Sequence, residues 1–189
     1  MSAMALALKN PLFCTGILSE NGGVVPGRCH QNGSSFRTHA TNSHMVRLGL
    51  VVAQFNKDRP ITHEMAEQAR DAADERDAEI VETLEVPGSY DTPLAADRLA
   101  RRDDIDAVVA LGAIITGDTN HDEVIADAAA QGLTDVSLDR DTPVTLGIIG
   151  PGMSHDEAAA RIDYGATAVE SAIDLVSELE GTTGAEFKS

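Results

Sequence analysis

From Met45 onward the chain alternates short apolar runs rich in Val, Ile and Leu with alanine-rich stretches of helical length, and this alternation leaves few folds open. The runs cover residues 48–53, 79–84, 105–115 and 143–149. A strand wetted on one face carries a polar residue at every second position. Continuous hydrophobicity instead marks strands buried on both faces, as parallel strands are when helices cover them. Four strand–helix repeats therefore define an α/β fold of the flavodoxin-like, doubly wound type: a four-stranded parallel sheet with helices on both faces.

The helices carry their own punctuation. Thr62 is placed to cap a stretch reaching Arg76, and Thr92 before Pro93 sets a cap and a first-turn proline ahead of a helix to Arg101. Thr119 or Asn120 caps a stretch from His121 to Gln131, with Gly132 as its stop. Ser154 and Glu157 match a capping box that opens a long helix to Leu179. A chain of 189 residues is long enough for one well-buried core and too short for two ordinary domains. The expected organisation is a disordered extension over residues 1–44, a folded domain over 45–180 that starts at Met45, and a flexible tail over 181–189.

The charge balance removes several function classes. Asp and Glu number 31 against 14 Lys and Arg. Residues 1–44 hold a single acid, Glu20, against Lys9, Arg28 and Arg37, so the acidic surplus belongs to the rest of the chain, whose only lysines are Lys57 and Lys188. Such a body repels nucleic acid and anionic membranes. An acid-rich, lysine-poor and aromatic-poor surface points to a halophilic protein, because abundant counterions screen a dense layer of carboxylates. Cys14 and Cys29 both precede Met45, which leaves the folded part without a disulfide, a cysteine metal site or a thiol nucleophile. The histidines show no ligand spacing, so no metal is expected. No apolar run reaches spanning length and the first residues make a poor export signal, so the expected location is the cytoplasm.

In a doubly wound sheet, ligands collect where strand C-termini meet helix starts. Gly117 permits a tight turn there, and the N–H groups of the following helix start form an anion site fit for a phosphate. His121 lies in the first turn of that helix, a place that favours the neutral, proton-accepting imidazole. Taken alone, a histidine so placed is more often solvated surface than a base. Phe55, directly after the first strand, offers a ring face to a flat heteroaromatic ligand or else plugs the core. Arg161 suits a phosphate, or else an ion pair with Asp156, Glu157 or Asp163.

Four segments, in order, resemble the motifs of lumazine synthases: Phe55-Asn56; Val-Pro-Gly-Ser-Tyr-Asp-Thr-Pro over residues 86–93; Ala-Leu-Gly-Ala-Ile-Ile-Thr-Gly-Asp-Thr-Asn-His over 110–121; and Pro-Val-Thr-Leu-Gly over 143–147. The resemblance extends from Arg47 to Leu179, and the Gly-Asp-Thr-Asn-His element is its most specific part. It implies a transferase of riboflavin biosynthesis that condenses 5-amino-6-(D-ribitylamino)uracil with 3,4-dihydroxy-2-butanone 4-phosphate and uses no cofactor. By position, Phe55 stacks on the pyrimidine, with Asn56 beside it, and Ser89, Tyr90 and Asp91 line the ribityl and ring pocket. The backbone of Ala113, Ile114 and Ile115 holds the pyrimidine edge, and Leu146 forms a wall. Asp118 and Thr119 offer N–H groups to the phosphate, Arg161 supplies the counter-charge, and His121 is the general acid/base. The resemblance further implies a homo-oligomer, a pentamer or a sixty-subunit shell, with sites shared between subunits.

The chain departs from the family pattern in places. Leu146 stands where phenylalanine is more usual, the loop over residues 150–154 is one residue longer, no lysine follows Arg161 by a turn, and Asp118 adds a carboxylate near the anion site. Three other readings compete. An archaeal-type riboflavin synthase of the same fold should lack the Gly-Asp-Thr-Asn-His element. A non-catalytic flavin- or nucleotide-binding flavodoxin-like module gives His121 and Arg161 no joint purpose. A purely structural shell protein would lose the pocket.

Overall fold

Helical segments follow each of the four strands, and all four strands join one parallel sheet in the order β2-β1-β3-β4. The structure is a computed structural model, and it describes residues 45–54, 61–117 and 119–182. The described residues all fall in one compact unit. In chain order they form β1 (Arg47–Ala53), α1 (Ile61–Glu75), β2 (Glu79–Val86), a 3-10 turn (Ser89–Asp91), α2 (Thr92–Leu99), β3 (Ala107–Ile115), α3 (His121–Arg140), β4 (Val144–Met153), α4 (His155–Ala159) and α5 (Tyr164–Thr182). The expectations for the extension over residues 1–44 and for the tail beyond residue 182 lie outside the described residues.

Two apolar clusters sandwich the sheet, as the continuous strands require. One packs Met65, Ala69, Val169 and Ile173 of α1 and α5 against Leu48, Leu50, Val109 and Leu111. The other packs Ala96, Leu99, Ala129 and Leu133 of α2 and α3 against Val51, Val108, Ala110 and Ile148. Helices therefore cover both faces. Burial on both faces holds for the central strands β1 and β3, whereas β2 and β4 lie at the edges and are partly exposed.

Several boundaries differ from the sequence reading, each for a physical reason. Thr62 lies inside α1 rather than capping it, and Asp91 precedes α2 while Thr92 donates its hydroxyl to the Ser89 carbonyl at 2.7 Å. Gly132 does not stop α3. A Cβ there would lie 2.8 Å from the Pro93 ring, so the missing side chain lets α2 and α3 approach, and the helix ends instead at Asp141, whose φ is 51°. The capping box at Ser154 and Glu157 forms as read, but the helix it opens is only α4. A turn at residues 160–163, with hydrogen bonds from Arg161 to Ala158 and from Tyr164 to Arg161, separates it from α5.

The fourth strand runs on past residue 149. Its ladder with β3 passes from Ala113↔Ile149 to Ile115↔Met153, so residues 150–152 form a bulge rather than a following loop. Gly150 has φ +99°, and a Cβ on it would lie 2.2 Å from the Ile114 carbonyl oxygen. Only glycine lets the two backbones approach so closely.

Candidate active site

The strand order reverses between β1 and β3: the chain passes from β1 outward to β2, then returns to the other side of β1 as β3. At such a switch point the loops diverge and leave a crevice. A cavity of about 270 Å³ opens there. Gly88, Ser89 and Tyr90 contribute from the turn after β2, and Ala113, Ile114 and Ile115 from the end of β3. The loop before α3 and its first turns complete the lining with Gly117, Thr119, His121, Asp122 and Ile125.

The cavity thus has two chemistries. The β3 end is an apolar wall of two isoleucines and an alanine, suited to a flat ring. The α3 end is polar: His121 is exposed there, and Asn120 at the helix cap makes no side-chain hydrogen bond to the first turn. Its side chain leaves the helix-start N–H groups to a ligand. Ser89 is buried, and its hydroxyl oxygen has no hydrogen-bond partner. The hydroxyl lies so close to Gly112 that a Cβ at that glycine would meet it at 2.6 Å.

Asp122, beside the histidine, is 8% exposed. Its Oδ2 accepts the Thr116 hydroxyl at 3.2 Å and the Gly152 N–H at 3.3 Å. Burial opposes ionisation, but the N–H groups of Gly152 and Glu123 and the Thr116 hydroxyl outweigh it and hold this carboxyl below the ordinary carboxylate value. Arg161 is exposed in the turn after α4; its guanidinium donates to the Glu157 carbonyl at 3.0 Å and lies 3.6 Å from the Met153 sulfur. The Glu157 carboxylate is engaged elsewhere, accepting the Ser154 N–H and hydroxyl at 2.9 and 2.8 Å, and these bonds lower its pKa.

Of the residues expected at the site, Ser89, Tyr90, Ala113, Ile114, Ile115, Thr119 and His121 are brought together. Asp91, Leu146 and Arg161 do not line this cavity of the single chain: Asp91 is exposed before α2, and Leu146 stands 47% exposed on β4 opposite Ala110. Phe55, Asn56 and Asp118 lie outside the described residues. Asp122 and Ile125 line the cavity and were not foreseen. Ile125 follows His121 by four residues, so helical spacing alone would have found it. Asp122 meets its partner through the bulge in β4, and no local pattern announces that. Among the described residues no group of three His, Cys, Asp or Glu side chains is placed to hold a metal ion, and no helix is long and apolar enough to cross a membrane.

A parallel doubly wound sheet whose switch-point cleft sets an apolar wall beside a histidine-bearing helix start has the architecture of an α/β protein with a small-molecule site. Residues 45–180 match the profile of the 6,7-dimethyl-8-ribityllumazine synthases. A 6,7-dimethyl-8-ribityllumazine synthase of Halorubrum lacusprofundi is 66% identical over 136 residues, which span 72% of this chain and 100% of that protein. Proteins of the same name from Halobacterium salinarum and Methanoculleus marisnigri are 64% and 51% identical over 135 residues, 71% of this chain and 100% and 98% of theirs. The chain belongs to the 6,7-dimethyl-8-ribityllumazine synthase family, and its activity is that family's, a transferase reaction of riboflavin biosynthesis.

Proposed function

We propose that the switch-point cleft is where 5-amino-6-(D-ribitylamino)uracil and 3,4-dihydroxy-2-butanone 4-phosphate are joined. One observation carries the assignment: Ala113, Ile114 and Ile115 share a single cavity with His121. The pyrimidine lies against the strand end, held by that backbone and stacked on Phe55 with Asn56 beside it. The ribityl chain extends toward Ser89, Tyr90 and Asp91. The phosphate rests at the α3 start on the N–H groups of Asp118 and Thr119, with Arg161 as counter-charge.

The chemistry asks mainly for proton transfers. The uracil's 5-amino nitrogen adds to the ketone and water leaves, giving an imine. Removing a proton from the carbon next to it and expelling phosphate gives an enol, which returns to a ketone. The ribityl-bearing nitrogen then closes the ring, with loss of a second water. His121 moves these protons as base and acid in turn, and the helix start and Arg161 stabilise the leaving phosphate. Both substrates are reactive by themselves, so most of the acceleration comes from holding them in register. His121→Ala is accordingly expected to lower kcat only about tenfold, less than the usual effect of losing a general base. Steady-state rates at saturating substrates test this, and unchanged turnover would remove the histidine from the mechanism.

The active form is a homo-oligomer, a pentamer or a sixty-subunit shell, in which each site is shared. What supports this is the apolar surface a lone chain leaves wet: Leu94, Val124 and Leu138 are 67%, 60% and 76% exposed, and α3 buries only Asp122, Ala129 and Leu133 of its own length. Leu146 and Arg161, which do not line the cavity of their own chain, are then free to complete a neighbour's. In molar KCl, sedimentation is expected to give at least five times the 19.9 kDa chain mass, and Leu138→Asp to shift the population toward single chains. A wild-type monomer that is fully active would contradict the shared site.

A further inference from the structure

The acid beside the candidate base has a duty that the chemistry does not ask of it. The Gly152 N–H lies in the bulge of β4, between the Ala113↔Ile149 and Ile115↔Met153 pairs. Asp122 accepts it, and with the same oxygen accepts the Thr116 hydroxyl. A single buried carboxylate therefore fastens three segments: the end of β3, the first turn of α3 and the end of β4. The helix turn carries His121. Met153 follows Gly152, accepts the Thr116 N–H on its carbonyl at 2.8 Å, and touches the Arg161 guanidinium through its sulfur. The two elements assigned to the phosphate, the α3 start and the segment that bears Arg161, are thus joined through Asp122.

Resting on the reading of this cleft as a synthase site, we infer that Asp122 is a positioning residue that holds the two phosphate-binding elements in one geometry. In this role it works through the two donors it accepts, the Thr116 hydroxyl and the Gly152 N–H. In a ring of identical subunits every site feels the loss of the clip, both at its own helix start and at the Arg161 it receives. The effect should fall on the phosphate-bearing substrate and spare the pyrimidine, whose wall at Ala113–Ile115 is fixed by the β3 ladder itself.

The test uses the full-length oligomer in molar KCl, with steady-state kinetics beside equilibrium binding of inorganic phosphate. Asp122→Ala is expected to raise both the KM for the butanone phosphate and the dissociation constant of inorganic phosphate about tenfold, the order for losing hydrogen bonds to a charged group. The KM for the pyrimidine should stay within about twofold, since no hydrogen bond to it is lost. Asp122→Asn keeps an acceptor oxygen for Gly152 and Thr116 and should recover most of the loss. If Asp122→Ala does not fold, Thr116→Val removes one of the two donors and should weaken phosphate about threefold. Phosphate binding unchanged in a folded, active variant, or a KM that rises equally for both substrates, would overturn the inference alone. An inactive wild-type protein would overturn the synthase reading and the inference with it.

Discussion

Gly150→Ala is expected to lower the melting temperature by about 10 °C and to remove most of the activity of the protein that still folds. Two independent costs meet at this position. The backbone sits at φ +99°, where a side chain costs on the order of 1–3 kcal/mol. The added Cβ would also stand 2.2 Å from the Ile114 carbonyl oxygen, so the ends of β3 and β4 must part, at about another 1–3 kcal/mol. Parting them breaks the Ile115↔Met153 pairing on which the cavity wall and the Asp122 clip depend, and a misplacement of about 1 Å at a reacting site can cost two orders of magnitude in rate. Gly152→Ala is the internal control. Its φ is +77° but its Cβ would meet nothing within 4 Å, so it pays the backbone strain alone. Calorimetry of the two variants checks the argument: equal losses would mean that contact with Ile114 is not what requires glycine at 150.

The second large effect belongs to Arg161. Its guanidinium is exposed, held by the Glu157 carbonyl, and does not line the cavity of its own chain. If it completes a neighbour's phosphate site, Arg161→Met should raise the KM for the butanone phosphate by about 10- to 100-fold, the range for a charge-assisted hydrogen bond, with the pyrimidine's KM little changed. Arg161→Lys should recover only part of this, because an ammonium cannot reproduce the two-pronged hold of a guanidinium. Kinetics at fixed saturating pyrimidine measure it. A KM for the phosphate substrate within twofold of wild type would show that Arg161 serves the turn after α4 and nothing else.

How much of this was written in the chain can be judged residue by residue. The strands were legible because β1 and β3 are buried on both faces and show it as unbroken hydrophobicity. The Ser154–Glu157 cap was legible because it is a contact three residues long. Gly132 misled because helix propensity is local, while the reason for a glycine there is Pro93 on another helix. The alanine-rich run after Ser154 reads as one helix. It breaks at residues 160–163, and α5 then packs so close to α1 that a Cβ at Gly165 would lie 2.1 Å from the Met65 carbonyl oxygen. Ser89, Tyr90, Thr119, His121 and residues 113–115, named from segments that each sit at a strand end, line one cavity. Asp122 was missed because what makes it important is a bulge in a strand thirty residues away in sequence. Local chemistry is visible in a sequence, whereas contacts made by distant backbone are not.

The measurement that bears most directly on the central claim is catalysis by the purified wild-type protein in molar KCl. It is mixed with 5-amino-6-(D-ribitylamino)uracil and 3,4-dihydroxy-2-butanone 4-phosphate, and lumazine absorbance and fluorescence are followed against the uncatalysed background. Product formed above background, inhibited by inorganic phosphate, is the expected result. A folded, assembled protein that leaves the background rate unchanged would contradict it and leave a ligand-binding or shell protein in its place.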